Sequence, residues 1–168
     1  MEENLECISC RKPKAGLTCE LCAEPVCKSC VVIIPTNEFD FQTELDEDLR
    51  HERYCSSCYT NTVLPAQEAY LETMMKARDI FVFFSTQKAR LPVMSKELDL
   101  VKIPECIDRD EAILRMAFQS AALGHNALIE TEVVYKKVRN EGYQKMIWAG
   151  QGRPATLDEI RLQRRVED

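Results

Sequence analysis

The chain has 168 residues, a net charge of −6, 45% hydrophobic and 30% charged residues, values of an ordinary folded protein that exclude wholesale disorder. No apolar run approaches the roughly 20 residues a membrane helix needs, and the acidic start MEENLE is unlike a basic-then-apolar secretory leader, so a cytoplasmic protein is expected. Residues 1–64 hold six Lys/Arg against twelve Asp/Glu and so carry all of the net charge, which makes nucleic acid and anionic lipid poor partners on overall charge.

In chain order, the first segment is defined by cysteine. Eight of the nine cysteines form four CxxC pairs: Cys7/Cys10, Cys19/Cys22, Cys27/Cys30 and Cys55/Cys58, with Cys106 alone. A reducing compartment argues against a disulfide framework, and a redox CxxC would occur once beside a βαβ pattern. Eight thiolates suffice for two tetrahedral zinc ions. The inner cysteines of successive pairs are separated by 8, 4 and 24 residues. A sequential arrangement would join pairs one and two, then three and four. A cross-brace joins one with three and two with four. Only Ala23-Glu24-Pro25-Val26 separates Cys22 from Cys27, so interleaving would let both metals tie one small core. About 50 residues can barely fold on hydrophobic burial alone, and structural zinc supplies folding free energy directly.

Residues 37–49 (NEFDFQTELDEDL) form an acidic excursion between the third and fourth pairs. Pro65 then opens a predicted helix whose apolar stripe is Ala66, Ala69, Tyr70, Thr73, Met74 and Ala77. IFVFFS (80–85) reads as a buried strand, and LDLVKI (98–103) as a second one stopped by Pro104. Asp108, with Glu111 three residues on, caps the next helix, and Gly124 closes it as the C′ residue. Residues 126–138 and 142–150 read as two strands joined through Arg139-Asn140-Glu141-Gly142, with Ala127, Ile129, Thr131, Val133 and Tyr135 on one face. Thr156-Leu157-Asp158-Glu159 is a capping box opening a C-terminal helix. The fold class expected is α+β: residues 1–63 a zinc-binding module, 64–78 a connecting helix, and 79–168 a β-β-α-β-β domain with a C-terminal helix.

The cysteine pattern, together with Arg53-Tyr54-Cys55-Ser56-Ser57-Cys58-Tyr59, resembles FYVE-type zinc fingers over residues 7–59. The resemblance implies a cross-brace with two structural Zn2+, one held by Cys7, Cys10, Cys27 and Cys30, the other by Cys19, Cys22, Cys55 and Cys58. FYVE fingers that read phosphatidylinositol 3-phosphate carry Trp-x-x-Asp before the first cysteine and an Arg/Lys-His-His-Cys-Arg stretch. Here Asn4-Leu5-Glu6 and Gly16-Leu17-Thr18-Cys19-Glu20 stand in those places, and only Arg53 of the third motif remains. Arg11, Lys12 and Lys14 form a small basic loop. Ile8 is similar to the apolar residue with which RING domains contact ubiquitin-conjugating enzymes, although RING ligand spacing fits less well.

Residues 79–153, through FVFFSTQKARLP, Ala121-Ala122-Leu123-Gly124-His125-Asn126-Ala127-Leu128-Ile129 and Trp148-Ala149-Gly150-Gln151-Gly152, resemble the YbjQ-like family of heavy-metal binders, some of which form ring oligomers. A soft-metal site needs clustered Cys or His, and this half offers only Cys106 and His125. Cys106 is expected to pack as a small hydrophobe and His125 to sit at a helix C-terminus. No nucleophile–base pair, phosphate-cradling loop or HExxH stands out, and Gly150-Gln151-Gly152 reads as a small-residue turn. The expectation is therefore a zinc-binding interaction or scaffolding protein with protein partners and self-assembly through the second domain, and not an enzyme. The rival readings are a RING-like ubiquitin ligase and a phosphoinositide-directed adaptor.

Overall fold

The computed structural model describes residues 5–13 and 15–165. The chain divides into two compact units, one ending at Leu71 and the other beginning at Glu72.

In the first unit the strands are two residues long and serve to register the cysteines. β1 (Leu17–Thr18) pairs antiparallel with β2 (Pro25–Val26), and β3 (Val32–Ile33) with β4 (Arg53–Tyr54). Cys19 follows β1, Cys27 follows β2 and Cys55 follows β4, so the two ladders gather ligands distant in sequence. The helical turn α1 (Ser56–Cys58) runs without a break through a wider turn at Tyr59–Val63 into α2 (Leu64–Arg78). Helical structure thus begins at the last cysteine pair, nine residues before the expected start at Pro65. Cys55 caps it, because its sulfur accepts from the Cys58 N–H. Of the expected stripe, Ala77 is buried and Ala69 is exposed.

The acidic excursion folds back on this helix. Ile34, Phe39, Tyr54 and Val63 form a small core, with Leu45, Leu49, Ala66 and Tyr70 packed around it. Phe39 meets Tyr70 edge to face at 5.5 Å, a geometry set by the ring quadrupoles. Polar ties reinforce it: Gln67 Nε2 donates to Glu38 at 2.7 Å and Tyr59 Oη donates to Gln67 at 2.9 Å.

The second unit is a five-stranded sheet with one helix laid on it, an α+β layer. β5 (Phe81–Phe84) runs parallel to β8 (Ala127–Asn140), and β9 (Tyr143–Leu157) pairs antiparallel with β8 along its length. The other edge of β9 takes β6 (Val93–Lys96) and β7 (Val101–Cys106). β7 continues past Pro104 to Cys106, with a register shift between Ile103 and Cys106 that accommodates the missing proline N–H. β6 is not among the expected strands: all four of its residues are exposed, so it lacks the apolar alternation that marks a half-buried strand.

α3 (Arg109–Ala122) covers one face. Asp108 Oδ1 accepts from the Glu111 N–H at 2.7 Å, while Glu111 accepts from Ile107, so the capping box reaches one residue further back than expected. Gly124 has φ +84°, the left-handed value a C′ residue needs. Asn126 then clamps Leu157 of β9 by accepting its N–H and donating to its carbonyl, at 2.8 and 3.0 Å. Ala112 and Met116 of α3 pack onto Ile103, Cys106 and Leu128 of the sheet. A second cluster on the opposite face joins Ala127, Ile129, Ala155 and Leu157.

Three further expectations are corrected. Glu130 has φ +53° at a bulge between Ile129 and Glu132, which flips the alternation, so Leu128 and Val133 share the helix side and Ala127 and Ile129 do not. Gly150-Gln151-Gly152 is not a turn. It is mid-strand in β9, where added Cβ atoms would lie 2.7 Å from Met116 Cε and 2.8 Å from Leu128 Cγ. Thr156 does not cap the last helix, because β9 runs through it to Leu157. Asp158 caps α4 (Glu159–Arg164) instead, accepting from Arg161 N–H at 3.1 Å.

Candidate metal centres

Each of the first two cysteine pairs lies on a knuckle. Cys7 O accepts from Arg11 N–H and Cys19 O from Ala23 N–H, at 2.8 and 2.9 Å. Arg11 and Ala23 both have positive φ, 60° and 61°, which turns the chain back sharply. The matching bonds Cys7 N–H to Lys12 O and Cys19 N–H to Glu24 O, both 2.9 Å, close the two loops. The other two pairs sit on helical turns: Val31 N–H reaches Cys27 O at 3.0 Å and Tyr59 N–H reaches Cys55 O at 2.9 Å. Each centre therefore combines one knuckle with one turn, the same construction twice.

The structure brings together Cys7, Cys10, Cys27 and Cys30, and separately Cys19, Cys22, Cys55 and Cys58, with the sulfurs of each set within 4.8 Å of one another. The pairing is thus interleaved, as a cross-brace requires. Cys10 Sγ to Cys27 Sγ is 3.8 Å and Cys22 Sγ to Cys55 Sγ is 3.9 Å. Sulfurs about 2.3 Å from a central tetrahedral zinc would be roughly 3.8 Å apart. The four-sulfur sets therefore fit a metal ion. Buried Val26 packs with Cys7, Cys19 and Cys55, so one small core carries ligands of both centres.

The electrostatics point the same way. Backbone N–H groups of Cys10 and Cys27 bring the Cys7 thiol down to about 6. At Cys19 burial works upward, yet N–H groups of Cys22 and Cys55 bring it to about 7. The neighbouring sulfurs of Cys10 and Cys27 push Cys30 up to about 12, while burial, then the other sulfurs, raise Cys58. Burial also raises Cys22. Four sulfurs this close cannot all be thiolates unless a cation shares the site, and a metal ion supplies that charge.

Glu20, between Cys19 and Cys22, ties its knuckle to β4. Its carboxylate accepts from Glu52 N–H at 2.8 Å and from Arg53 Nε at 2.8 Å, and Arg53 Nη2 lies 2.7 Å away. The Glu52 amide first, then Arg53, holds this carboxyl below its usual range. Arg53 is thereby neutralised. Arg11 and Lys12 are exposed and contribute backbone to the first knuckle, while Lys14 and Asn4 lie outside the described residues. Ile8 is half-buried against the first centre and donates its N–H to Pro25 O at 2.8 Å.

In the second unit Cys106 is buried in the core, and burial raises its thiol pKa. His125 lies between Thr156 Oγ1 at 2.9 Å and Glu97 Oε1 at 2.8 Å. Among the described residues no third group of three or more metal-ligating side chains occurs, and Cys106 and His125 have different neighbours, Ile103, Met116 and Leu128 for the first and Thr156 and Glu97 for the second. No helix among them is long and apolar enough to cross a membrane. What sequence reasoning missed is the Glu20–Arg53 tie, whose partners stand 33 residues apart with no pattern to link them. Comparison with protein-family models, curated proteins and solved structures finds no match to this chain.

Proposed function

We propose that both ions are zinc, that they are structural, and that the protein acts by binding other molecules through a FYVE-like cross-brace module without lipid chemistry. The observation that carries this reading is the pair of separate four-sulfur sets with sulfur spacings of 3.8 and 3.9 Å. All-cysteine tetrahedral sites leave no open position for a substrate, which favours a structural over a catalytic metal. The phosphoinositide reading lacks its chemistry, since Glu20 occupies Arg53, no histidine stands beside Cys19, and Arg11, Lys12, Lys28 and Arg50 are exposed side chains. The module surface instead presents exposed Asp40, Glu44, Asp46, Glu47 and Asp48, which suits a partner rich in Lys and Arg. Exposed Ile33 on the β3–β4 ladder supplies an apolar anchor beside ordinary rim charge.

Metal analysis of the pure protein tests the reading. It should give two zinc per chain, falling to one or fewer in Cys7→Ser/Cys10→Ser. A metal-free protein that keeps its fold, or a single ion per chain, would overturn it. Co-sedimentation with vesicles containing phosphatidylinositol 3-phosphate should show no gain over plain phosphatidylcholine vesicles.

A further inference from the structure

The β8–β9 hairpin runs on past the rest of its sheet. The pairing of β5 with β8 ends at Thr131, and that of β7 with β9 begins at Trp148. From the Tyr135–Trp148 pair outward the two strands therefore bond only to each other, as far as the turn at Glu141-Gly142. At about 3.3 Å per residue this free ribbon is roughly 20 Å long. It carries Lys136, Lys137, Arg139 and Lys145 against one acid, Glu141, so it is strongly positive in a protein of net charge −6. Lys136 lies 3.7 Å from Glu105, and no acid among the described residues pairs with Lys137, Arg139 or Lys145. The register puts Lys137 and Arg139 on the side of Tyr135, Trp148 and Met146, and Lys136 and Lys145 on the other. Tyr143, 83% exposed, stands at the tip.

We propose that this ribbon docks double-stranded B-form DNA, standing edge-on in the major groove with its two cationic faces toward the two phosphate walls. A single acidic protein surface would need cations on one face only, and here both faces have them. A sheet layer with its side chains is about 10 Å thick and the groove about 12 Å wide and about 8.5 Å deep, so an edge-on ribbon two strands broad seats in it where a broader sheet would stand out of it. Overall charge hid this, because the acidic excess lies in residues 1–64, outside the unit that carries the ribbon. The binding is electrostatic and independent of sequence, and it does not depend on the identity of the metal ions.

Fluorescence anisotropy of the full zinc-loaded chain with a labelled 20-base-pair DNA duplex, titrated across KCl, reads the inference out. Three to four phosphate contacts predict a slope of log affinity against log salt of about −3, since each contact contributes about −0.9. Lys137→Gln/Arg139→Gln should make that slope shallower by about two, and Lys137→Glu/Arg139→Glu/Lys145→Glu should weaken binding at least tenfold at low salt. Lys88→Glu, an exposed lysine outside the ribbon, should leave affinity within about twofold. Trp148, the single tryptophan, packs on Tyr135 at 5.1 Å and reports by its fluorescence that the ribbon is intact in each variant. A slope near zero, equal affinity for single strands or duplex RNA, or an equal loss in Lys88→Glu would overturn the inference. So would salt-sensitive self-association abolished by the ribbon changes without DNA binding, which would assign the ribbon to a second copy of the chain.

Discussion

Ala23 shows how much one residue can report. It holds φ +61° at the second knuckle, a conformation that costs a residue with a Cβ about 1 kcal/mol and glycine almost nothing. Ala23→Gly should therefore stabilise the metal-loaded protein, or leave it unchanged within a few tenths of a kcal/mol. Ala23→Val should destabilise it by more than about 1 kcal/mol, as read by urea denaturation. Glu20 works through side-chain bonds instead, accepting from the backbone of Glu52 and Arg53 at the start of β4. Its pairing with Arg53 is partly exposed and therefore screened, so Glu20→Ala should cost about 1 kcal/mol and loosen the second centre before the first. Chelator titration would show that order as faster metal loss from one of the two sites. The thiols add a pH prediction. Cys30, raised to about 12, and Cys22 and Cys58, also raised, are protonated near neutrality without metal, so metal binding must release at least these three protons per chain. Affinity should then fall as pH falls, because protons compete for the sulfurs. Calorimetry at pH 7.5 in buffers of differing ionisation enthalpy counts the protons, and a count near zero would contradict the argument.

At the scale of elements, β9 is the organiser of the second unit, touching β8, β7, β6 and α3. Its two glycines are spaces filled by neighbours. Gly152→Ala would press a methyl against Leu128 Cγ at 2.8 Å and should destabilise the protein by about 1–3 kcal/mol. Leu128→Val in the same chain should recover part of that, a coupling that a double-mutant cycle in thermal melts would measure. The element types were largely legible in sequence: the apolar run at 81–84, the Asp108 cap and the Gly124 stop all give local signals that the backbone obeys. The errors fall where tertiary pairing overrode local pattern. Thr156 has the spacing of a cap, but its strand gains ladder bonds to β6 that a cap would forfeit. Pro104 signals a strand end, yet a register shift lets β7 go on to bury Cys106 under α3.

For the whole molecule, the units have different sources of stability. The first sets two sulfur clusters beside one small apolar core, whereas the second buries an apolar layer between sheet and helix. Removing metal should therefore unfold the first unit and leave the β8–β9 sheet folded. In two-dimensional NMR, EDTA should collapse the peaks of residues up to about 60 and preserve those of 100–157. Loss of both together would show that the second unit depends on the first.

The ligand set was legible because metal chemistry fixes residue type and spacing: four CxxC pairs with a four-residue gap between the middle two admit few arrangements. Sequence alone left the partition between the two centres to a resemblance. The structure settled it through contacts between distant segments: Ile8 N–H to Pro25 O and Cys27 N–H to Cys7 Sγ bring the first pair to the third, and Glu20 N–H to Arg53 O brings the second pair to the fourth. The ribbon is the converse case. Its four cations are plain in the sequence, but net charge sums over the whole chain. Only the endpoints of β5 and β7 reveal that those cations stand together on a free hairpin, where charge acts locally.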